Sequence, residues 1–316
     1  MIDSAFRTPW IWKDGDFLRW EDANIHVMSH VVHYGSSVFE GVRCYQTSRG
    51  PAFFRLRDHM RRLRESAAVY QMPMEYDADD LMEASFELFR RNGMDEGYLR
   101  PLVIRGAGAL GLNPAQSPVE TWLMGWPWGQ YLGSKALEEG VDACVSSWFR
   151  PAPNTFPALA KAGGNYLNSQ LMKMEAVRNG YAEGIGVGPG GLVSEGSGQN
   201  IFLVKEGKVI TPALDGTMLD GLTRKTVMAL CRDMDIPISE TRVPREMLYT
   251  ADEVFFAGTA AELTPVRSVD RIPVGKGVGP VTKALQAAYM DLVRGRRPDS
   301  RGWLDVIPQA AKAGVA

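Results

Sequence analysis

Between Arg150 and Lys173 the chain reads RPAPNTFPALAKAGGNYLNSQLMK, and Lys161 is the only other side chain there that carries a charge at neutral pH. Its neighbours are Ala160, Ala162, Gly163 and Gly164. Further on, GIGVGPGGLVSEGSGQNIFLV (184–204) has Glu195 as its only charge, again beside small residues. Charged groups are rarely buried without a partner or a task. Burial disfavours the charged form of an amine, so a desolvated lysine is partly free to attack a carbonyl carbon. Small neighbours leave room for a flat aromatic ligand, and a buried carboxylate is what a pyridine nitrogen needs to stay protonated. The competing reading is a buried Lys161–Glu195 ion pair, or one of the two reaching solvent from a loop.

Phosphate chemistry has two candidate places. Gly221-Leu222-Thr223 opens a helix, TRKTVMALCRDM, whose free N–H groups and dipole favour an anion. Gly258-Thr259-Ala260 ends an apolar strand in a tight turn with a hydroxyl. Both also read as simple cap and turn residues. Gly186-Val-Gly188-Pro-Gly190-Gly191 matches G-x-G-x-x-G, but strands follow it where a dinucleotide site needs a helix, so these glycines read as a hairpin turn. His26, His30 and His33 lack a matching carboxylate or thiolate, and no metal is expected.

The elements that must position these groups follow from periodicity. A hairpin is expected at Trp10–Trp12 and Phe17–Trp20 around Asp14-Gly15, then a strand over Val38–Tyr45. Helices are expected at Arg57–Gln71, with a stripe of Met60, Leu63, Ala67 and Tyr70 that leaves Arg62 at its edge, and at Asp77–Asn92. Strands follow at Tyr98–Arg105 and Val119–Trp126. The second half reads as strands at Val141–Trp148, Leu192–Glu195, Asn200–Val204, Lys208–Thr211, Ile236–Val243, Glu253–Ala257 and Arg271–Val274. Its helices are Asn165–Asn179, Leu222–Met234 and Pro280–Arg294. Many short strands interrupted by helices give an α+β or pseudo-barrel body rather than a doubly wound sheet. With 316 residues two domains are expected: 1–127, a linker at 128–134, and 135–316.

Composition narrows the class. A net charge of −2 leaves no electrostatic footprint for nucleic acid or an anionic membrane. Cys44, Cys144 and Cys231 are odd in number and far apart, as buried thiols in a reducing compartment are. Early charges at Asp3, Arg7 and Lys13 without an apolar run predict no signal peptide, and Thr121–Trp126 is too short to cross a bilayer. A soluble, cytoplasmic protein is expected.

Taken together, HVMSHVVHYGSSVFEGVRCY, YLRP, SSWFRPAPNTFPALAKAGGNYLNS, VSEGSGQN and GTAAELTPVRSVD resemble the class IV (fold type IV) pyridoxal-phosphate aminotransferases, and within them the bacterial branched-chain amino acid aminotransferases. The resemblance runs from about Ile11 to Trp303. It implies a two-domain α+β fold, with a smaller N-terminal α/β domain and a larger C-terminal pseudo-barrel. It also implies a pyridoxal 5'-phosphate cofactor between the domains and amino-group transfer from L-leucine, L-isoleucine or L-valine to 2-oxoglutarate. The nearest rivals are a D-amino-acid or (R)-amine transaminase and an aminodeoxychorismate lyase, and from another class a binding protein that has kept the scaffold.

By that resemblance Lys161 bonds the cofactor and moves the substrate's α-proton, Glu195 faces the pyridine nitrogen, and Tyr166 bonds the phenolic oxygen. Arg62, Leu222, Thr223 and Thr259 hold the phosphate, with Gly198, Leu219 and Gly258 beside the cofactor. Tyr34, Phe39, Tyr98, Trp128 and Tyr131 resemble the walls for branched side chains. Tyr98 and the Thr259-Ala260 turn resemble the α-carboxylate site, and Arg100 the reader of a distal carboxylate. A homodimer is implied, with Tyr34 and Leu112 completing the neighbour's pocket. Trp122 and Trp126 read as ordinary packing. Two departures stand out: the Val187–Gly191 turn lacks an acidic residue, and Gln199 replaces a common Glu, which bears on how firmly Arg62 is held.

Overall fold

A computed structural model describes residues 6–128 and 134–309. Tyr131 and most of the expected linker lie outside the described residues. The first half runs β1 (Trp10–Lys13), β2 (Asp16–Arg19), α1 (His30–Tyr34), β3 (Ser37–Phe39), β4 (Val42–Thr47), β5 (Gly50–Phe54), α2 (Leu56–Val69), α3 (Ala78–Arg91), β6 (Gly97–Arg105) and β7 (Val119–Trp126). The second half opens with α4 (Ser134–Glu139), β8 (Val141–Val145), α5 (Tyr166–Arg178), β9 (Glu183–Val187), β10 (Val193–Gly196), β11 (Asn200–Lys205) and β12 (Lys208–Pro212). It continues with α6 (Leu222–Asp233), β13 (Ile238–Thr241), α7 (Met247–Thr250), β14 (Glu253–Gly258), β15 (Glu262–Val269), β16 (Ile272–Pro273), α8 (Pro280–Val293) and β17 (Leu304–Val306).

The hairpin forms as expected, because Asp14 and Gly15 both take the positive φ (45° and 98°) that such a turn requires. The single strand expected over Val38–Tyr45 is two. β3 pairs with Leu102–Ile104 of β6 and β4 with Gly97–Leu99, and the ladder breaks at Glu40-Gly41. Opposite that break is Pro101, which accepts from Glu40 N (2.9 Å) but has no N–H to return. The break leaves the Glu40 side chain wholly buried. Helix α3 starts on a capping box in which Asp77 accepts from Asp79 N and Asp80 N.

The first sheet is eight-stranded, in the order β17-β5-β4-β6-β7-β1-β2 with β3 against β6. Its buried face meets Leu56, Met60 and Leu63 of α2 and Leu81, Phe86 and Phe89 of α3. Each large side chain so buried contributes about 1.5–3 kcal/mol.

The second sheet has nine strands, in the order β10-β9-β8-β15-β14-β11-β12-β13 with β16 on β15. A further pairing of β10 with β11 closes six of these strands into a ring, the barrel-like body expected, and the closing pair is Glu195 opposite Asn200. Both faces of the central strands are buried. Phe202, Val204, Phe255 and Ala257 face α6, α8 and Tyr45, Ala52 and Phe54 of the first sheet, while Ile201, Leu203, Val254 and Phe256 fill the other side.

Strands β15 and β9 were not legible in the sequence. Pro265 in the middle of β15 cannot complete a ladder, and Gly184 and Gly186 dilute β9, so neither stretch shows strand composition. Among the described residues no helix is long and apolar enough to cross a membrane.

Candidate active site

Lys161 lies in the loop between β8 and α5, fastened on both sides of its backbone to the first half of the chain. Its N–H donates to Ser66 Oγ on α2 (3.0 Å) and its carbonyl accepts from Phe39 N on β3 (3.0 Å). A Cβ at Gly163 would collide with Ser37 Oγ, so any larger residue there would make that hydroxyl turn away. A short 3-10 turn at Gly163–Asn165 then brings Tyr166, first residue of α5, back over the lysine. Lys161 Nζ donates to Tyr166 Oη at 2.5 Å and stands 4.8 Å from the Phe39 ring centre.

Glu195 is held at the barrel closure. Its Oε2 accepts from Leu219 N (3.2 Å) and Asn200 Nδ2 (3.3 Å), and its Oε1 pairs with Arg150 Nη2 (2.8 Å). Burial pushes this carboxyl above its ordinary range, opposed by the Arg150 guanidinium, the Leu219 N–H and the Lys161 amine. The alternative of a Lys161–Glu195 salt bridge is not what forms: the lysine bonds Tyr166 and the glutamate pairs with Arg150.

A third wall is basic and dipolar. Arg62 turns inward from α2, donating Nε and Nη2 to the two Glu40 oxygens (2.6 and 2.9 Å) and Nη1 to Asp220 O (3.2 Å). Beside it α6 begins at Leu222 and Thr223, where N–H groups have no partner within the helix. All ten residues that the sequence singled out around a cofactor line one cavity with about 610 Å³ of empty space out to its mouth. These are Arg62, Lys161, Tyr166, Glu195, Gly198, Leu219, Leu222, Thr223, Gly258 and Thr259.

Gln199 does not bear on Arg62. Its amide nitrogen donates to Glu183 (3.1 Å), a buried carboxylate that Lys173 (3.2 Å) and Ser197 also contact, while Glu40 holds Arg62. The glycine motif divides: Gly191, at φ 76°, donates to Gly188 O in a turn, but Gly186 lies inside β9. The histidines make local bonds, His30 to Ser36 Oγ and Gly111 O and His33 to Val27 O, and among the described residues no group of three or more His, Cys, Asp or Glu could hold a metal. All three thiols are buried, with Cys231 pushed up to about 12 by desolvation.

The substrate candidates form an aromatic annex. The Phe39 ring meets Tyr166 edge-on at 4.8 Å, and Tyr98 packs on Trp128 (4.4 Å) and Trp126 (5.5 Å). The Arg100 guanidinium lies 4.9 Å from the Phe39 ring centre and 5.6 Å from that of Tyr98, and its buried Nε has no hydrogen-bond partner among the described residues. Ala260 lies in the turn between β14 and β15, next to Thr259. Of these substrate candidates only Thr259 is in the lining of the cavity: Phe39 adjoins it through Lys161 and Tyr166, Tyr98, Arg100, Trp128 and Ala260 lie behind it, and Tyr34 and Leu112 are exposed, Leu112 at 88%. Trp122 is core, as expected.

A Cβ at Gly41 would overlap the Tyr98 hydroxyl. Gly41→Ala should therefore displace that ring and cost about 1–3 kcal/mol of stability through overpacking. Urea unfolding of the variant beside wild type checks this.

Sequence reasoning missed Glu40, His59, Arg150, Asn200 and Ser66. Arg150 left a signal, a single basic residue between Phe149 and Pro151. Glu40 in FEG left none, because its burial comes from the ladder break opposite Pro101.

The cavity thus joins an amine–tyrosine pair, a buried carboxylate and a helix N-terminus with an arginine. Residues 37–269 match the model of the Amino-transferase class IV family, and the chain belongs to that family. It is 50% identical over 305 residues to the branched-chain-amino-acid aminotransferase of Escherichia coli (strain K12), covering 96% of this chain and 99% of that one. A crystal structure of the Escherichia coli branched-chain amino acid aminotransferase superposes with a TM-score of 0.94 at 49% identity, over 96% of this chain and 100% of the other. The branched-chain amino acid aminotransferase from Thermobaculum terrenum, in its PLP-bound holo-form, gives 0.89 at 34% identity, again over 96% of this chain and 100% of the other.

The donor set fits pyridoxal 5'-phosphate on the structure's own terms. An amine, a carboxylate and an anion-binding helix end converge on one cavity, and a Cβ at Gly198 would meet nothing within 4 Å, so open space borders the backbone there.

Proposed function

We infer that this class IV aminotransferase carries the amino group of L-leucine, L-isoleucine or L-valine to 2-oxoglutarate in two half-reactions, with pyridoxal 5'-phosphate as its cofactor. The reading is carried by one observation: Lys161 with Tyr166, Glu195, and Arg62 with the α6 N-terminus line a single cavity. When bound, the cofactor supplies an aldehyde carbon that condenses with amines and a pyridine ring that draws electron density from the neighbouring carbon.

Lys161 Nζ is the amine that holds the cofactor and, once freed, the base that takes the donor's α-proton and returns it. Tyr166 Oη, 2.5 Å away, orients that nitrogen and bonds the phenolic oxygen. Glu195 stabilises a protonated pyridine nitrogen. Arg62, Leu222, Thr223 and Thr259 hold the phosphate, with Gly198, Leu219 and Gly258 shaping the wall. Phe39, Tyr98, Trp128 and Tyr131 receive the branched side chain, and Tyr98, Thr259 and Ala260 the α-carboxylate.

Arg100 reads the distal carboxylate of 2-oxoglutarate. Its cation lies among aromatic rings with Nε unpaired among the described residues, so a bidentate carboxylate would satisfy it. Arg100→Met should raise KM for 2-oxoglutarate by about 10- to 100-fold, the ~1.5–3 kcal/mol of a hydrogen bond to a charged group. The half-reaction with L-leucine should be nearly unchanged. An amino-donor panel tests the whole reading through the absorbance change of the cofactor. L-leucine should convert it, and D-alanine and 1-phenylethylamine should not; the reverse order contradicts the assignment.

The same reading takes the chain as a cytoplasmic homodimer, with Tyr34 and Leu112 of each copy completing the other's pocket. Their exposure supports this, as does the exposure of Val27 and Val32 nearby. It divides the chain at 1–127 and 135–316 around residues 128–134, each part built on its own sheet, with β17 returning to the edge of the first.

A further inference from the structure

The Arg150 side chain is the most fully bonded cation around the cavity, yet it has no place in the chemistry assigned so far. Its Nη2 meets Glu195 Oε1 at 2.8 Å. Nη1 donates to Asn168 Oδ1 (2.9 Å) and Ser169 Oγ (3.2 Å) in the first turns of α5, and Nε donates to Thr217 O (3.3 Å). Its own backbone N–H donates to Val187 O (2.8 Å), which fixes the residue on β9. Helix α5 begins with Tyr166, so one guanidinium ties the carboxylate end of the cavity to the helix that carries the lysine's partner.

The stem of Arg150 lies flat on β9 at Gly186. A Cβ there would stand 2.9 Å from both Arg150 Cγ and Cδ and 2.8 Å from Met172 Cε. The glycine that resembled part of a nucleotide motif is therefore a packing requirement: only a residue without a side chain lets the arginine lie across the strand.

We propose that Arg150 is a positioning residue that holds Glu195 as an anion and fixes its direction, and that Gly186 is there to admit it. The inference rests on the reading that Glu195 faces the pyridine nitrogen. A proton shared between a carboxyl and a pyridine sits on one or the other. The guanidinium, 7% exposed, favours charge on Glu195 and so leaves the proton on the ring, where it serves electron withdrawal. The groups that face Glu195 among the described residues are Arg150, Lys161, the Leu219 N–H and the Asn200 amide; of the two cations Arg150 is the one that touches it.

The test compares wild type, Arg150→Met, Arg150→Lys and Gly186→Ala, each loaded with ring-¹⁵N pyridoxal 5'-phosphate. In wild type the nitrogen should resonate as a protonated pyridinium, and in Arg150→Met as an unprotonated pyridine. Arg150→Lys, which keeps the charge and loses the fork, should restore the protonated position with only partial activity. Gly186→Ala should move the resonance in the Met direction and stands in if Arg150→Met does not fold. In the apoproteins, ¹³C-glutamate titration should show Glu195 taking its proton at higher pH in Arg150→Met than in wild type, because the lowering influence of the guanidinium is gone. Turnover should fall by about 10- to 100-fold, as for other residues that act through a ligand's partner. A ring that stays protonated in Arg150→Met overturns the proposal. A ring unprotonated already in wild type overturns the placement of Glu195 beneath it, and this inference with it.

Discussion

Lys161→Ala is expected to yield a folded protein whose turnover of L-leucine with 2-oxoglutarate is at least about 10⁴-fold below wild type, since positioned proton transfer alone contributes about 10²–10⁴-fold. The loss should be large because the proposed function gives one nitrogen two tasks, attack on a carbonyl and proton transfer at Cα. The fold should survive. The anchors of this loop are backbone groups, Lys161 N to Ser66 Oγ and Lys161 O from Phe39 N, and both remain in the variant. The side chain's hydrogen bond goes to Tyr166, whose hydroxyl faces the cavity and can turn to water. Thermal unfolding should therefore shift by no more than a few degrees, as for a loss of about 1 kcal/mol. Retained multiple turnover would refute the assignment of Lys161.

The largest stability effect should come from Glu40. This carboxylate is fully buried, and Arg62 and His59 both depend on it: Arg62 makes two hydrogen bonds to it, and His59 Nδ1 lies 2.7 Å from Oε2. Removing one partner of a buried pair leaves the other uncompensated, so Glu40→Ala should cost about 3–5 kcal/mol in urea unfolding. It should also weaken cofactor binding, because Arg62 loses the group that aims it.

The pH dependence has a definite sign. Burial works to raise the Glu40 carboxyl, but the Arg62 guanidinium and His59 overcome it and hold it well below the carboxylate range. A carboxyl depressed in the folded state contributes stability that is present above its unfolded value and is lost as pH falls. His59 is pushed down by burial, against the pull of Glu40, so its contribution is likewise lost on acidification, beginning below the ordinary histidine value of about 6.5. Wild type should lose stability on the acid side more steeply than Glu40→Gln, and parallel curves would remove Glu40 from this role.

Local pattern was enough for much of the fold. The helices around Met60 and Phe86 and the strands Tyr98–Arg105 and Val119–Trp126 follow from period and caps, because each element's own burial selects its residues. What stayed hidden depends on partners far along the chain. Strand β15 carries Pro265 and is held by β14 on one side and β8 on the other, a register that no local composition records. The break at Glu40 is set by Pro101, on a different strand. At the site, Lys161 and Glu195 were legible because isolated charges among glycines and alanines are rare. Arg62 was chosen by resemblance, and its actual partner, Glu40, was replaced in expectation by position 199. Arg150 stood out as a lone basic residue between Phe149 and Pro151, but its placement escaped because it depends on a missing side chain at Gly186, and an absent Cβ shows nothing about what lies against it.

The most direct measurement is borohydride reduction of the enzyme loaded with pyridoxal 5'-phosphate, followed by digestion and mass mapping of the phosphopyridoxyl group. That group should be recovered on the peptide bearing Lys161. Its recovery on Lys173, on any other peptide, or on none contradicts the assignment on which the rest is built.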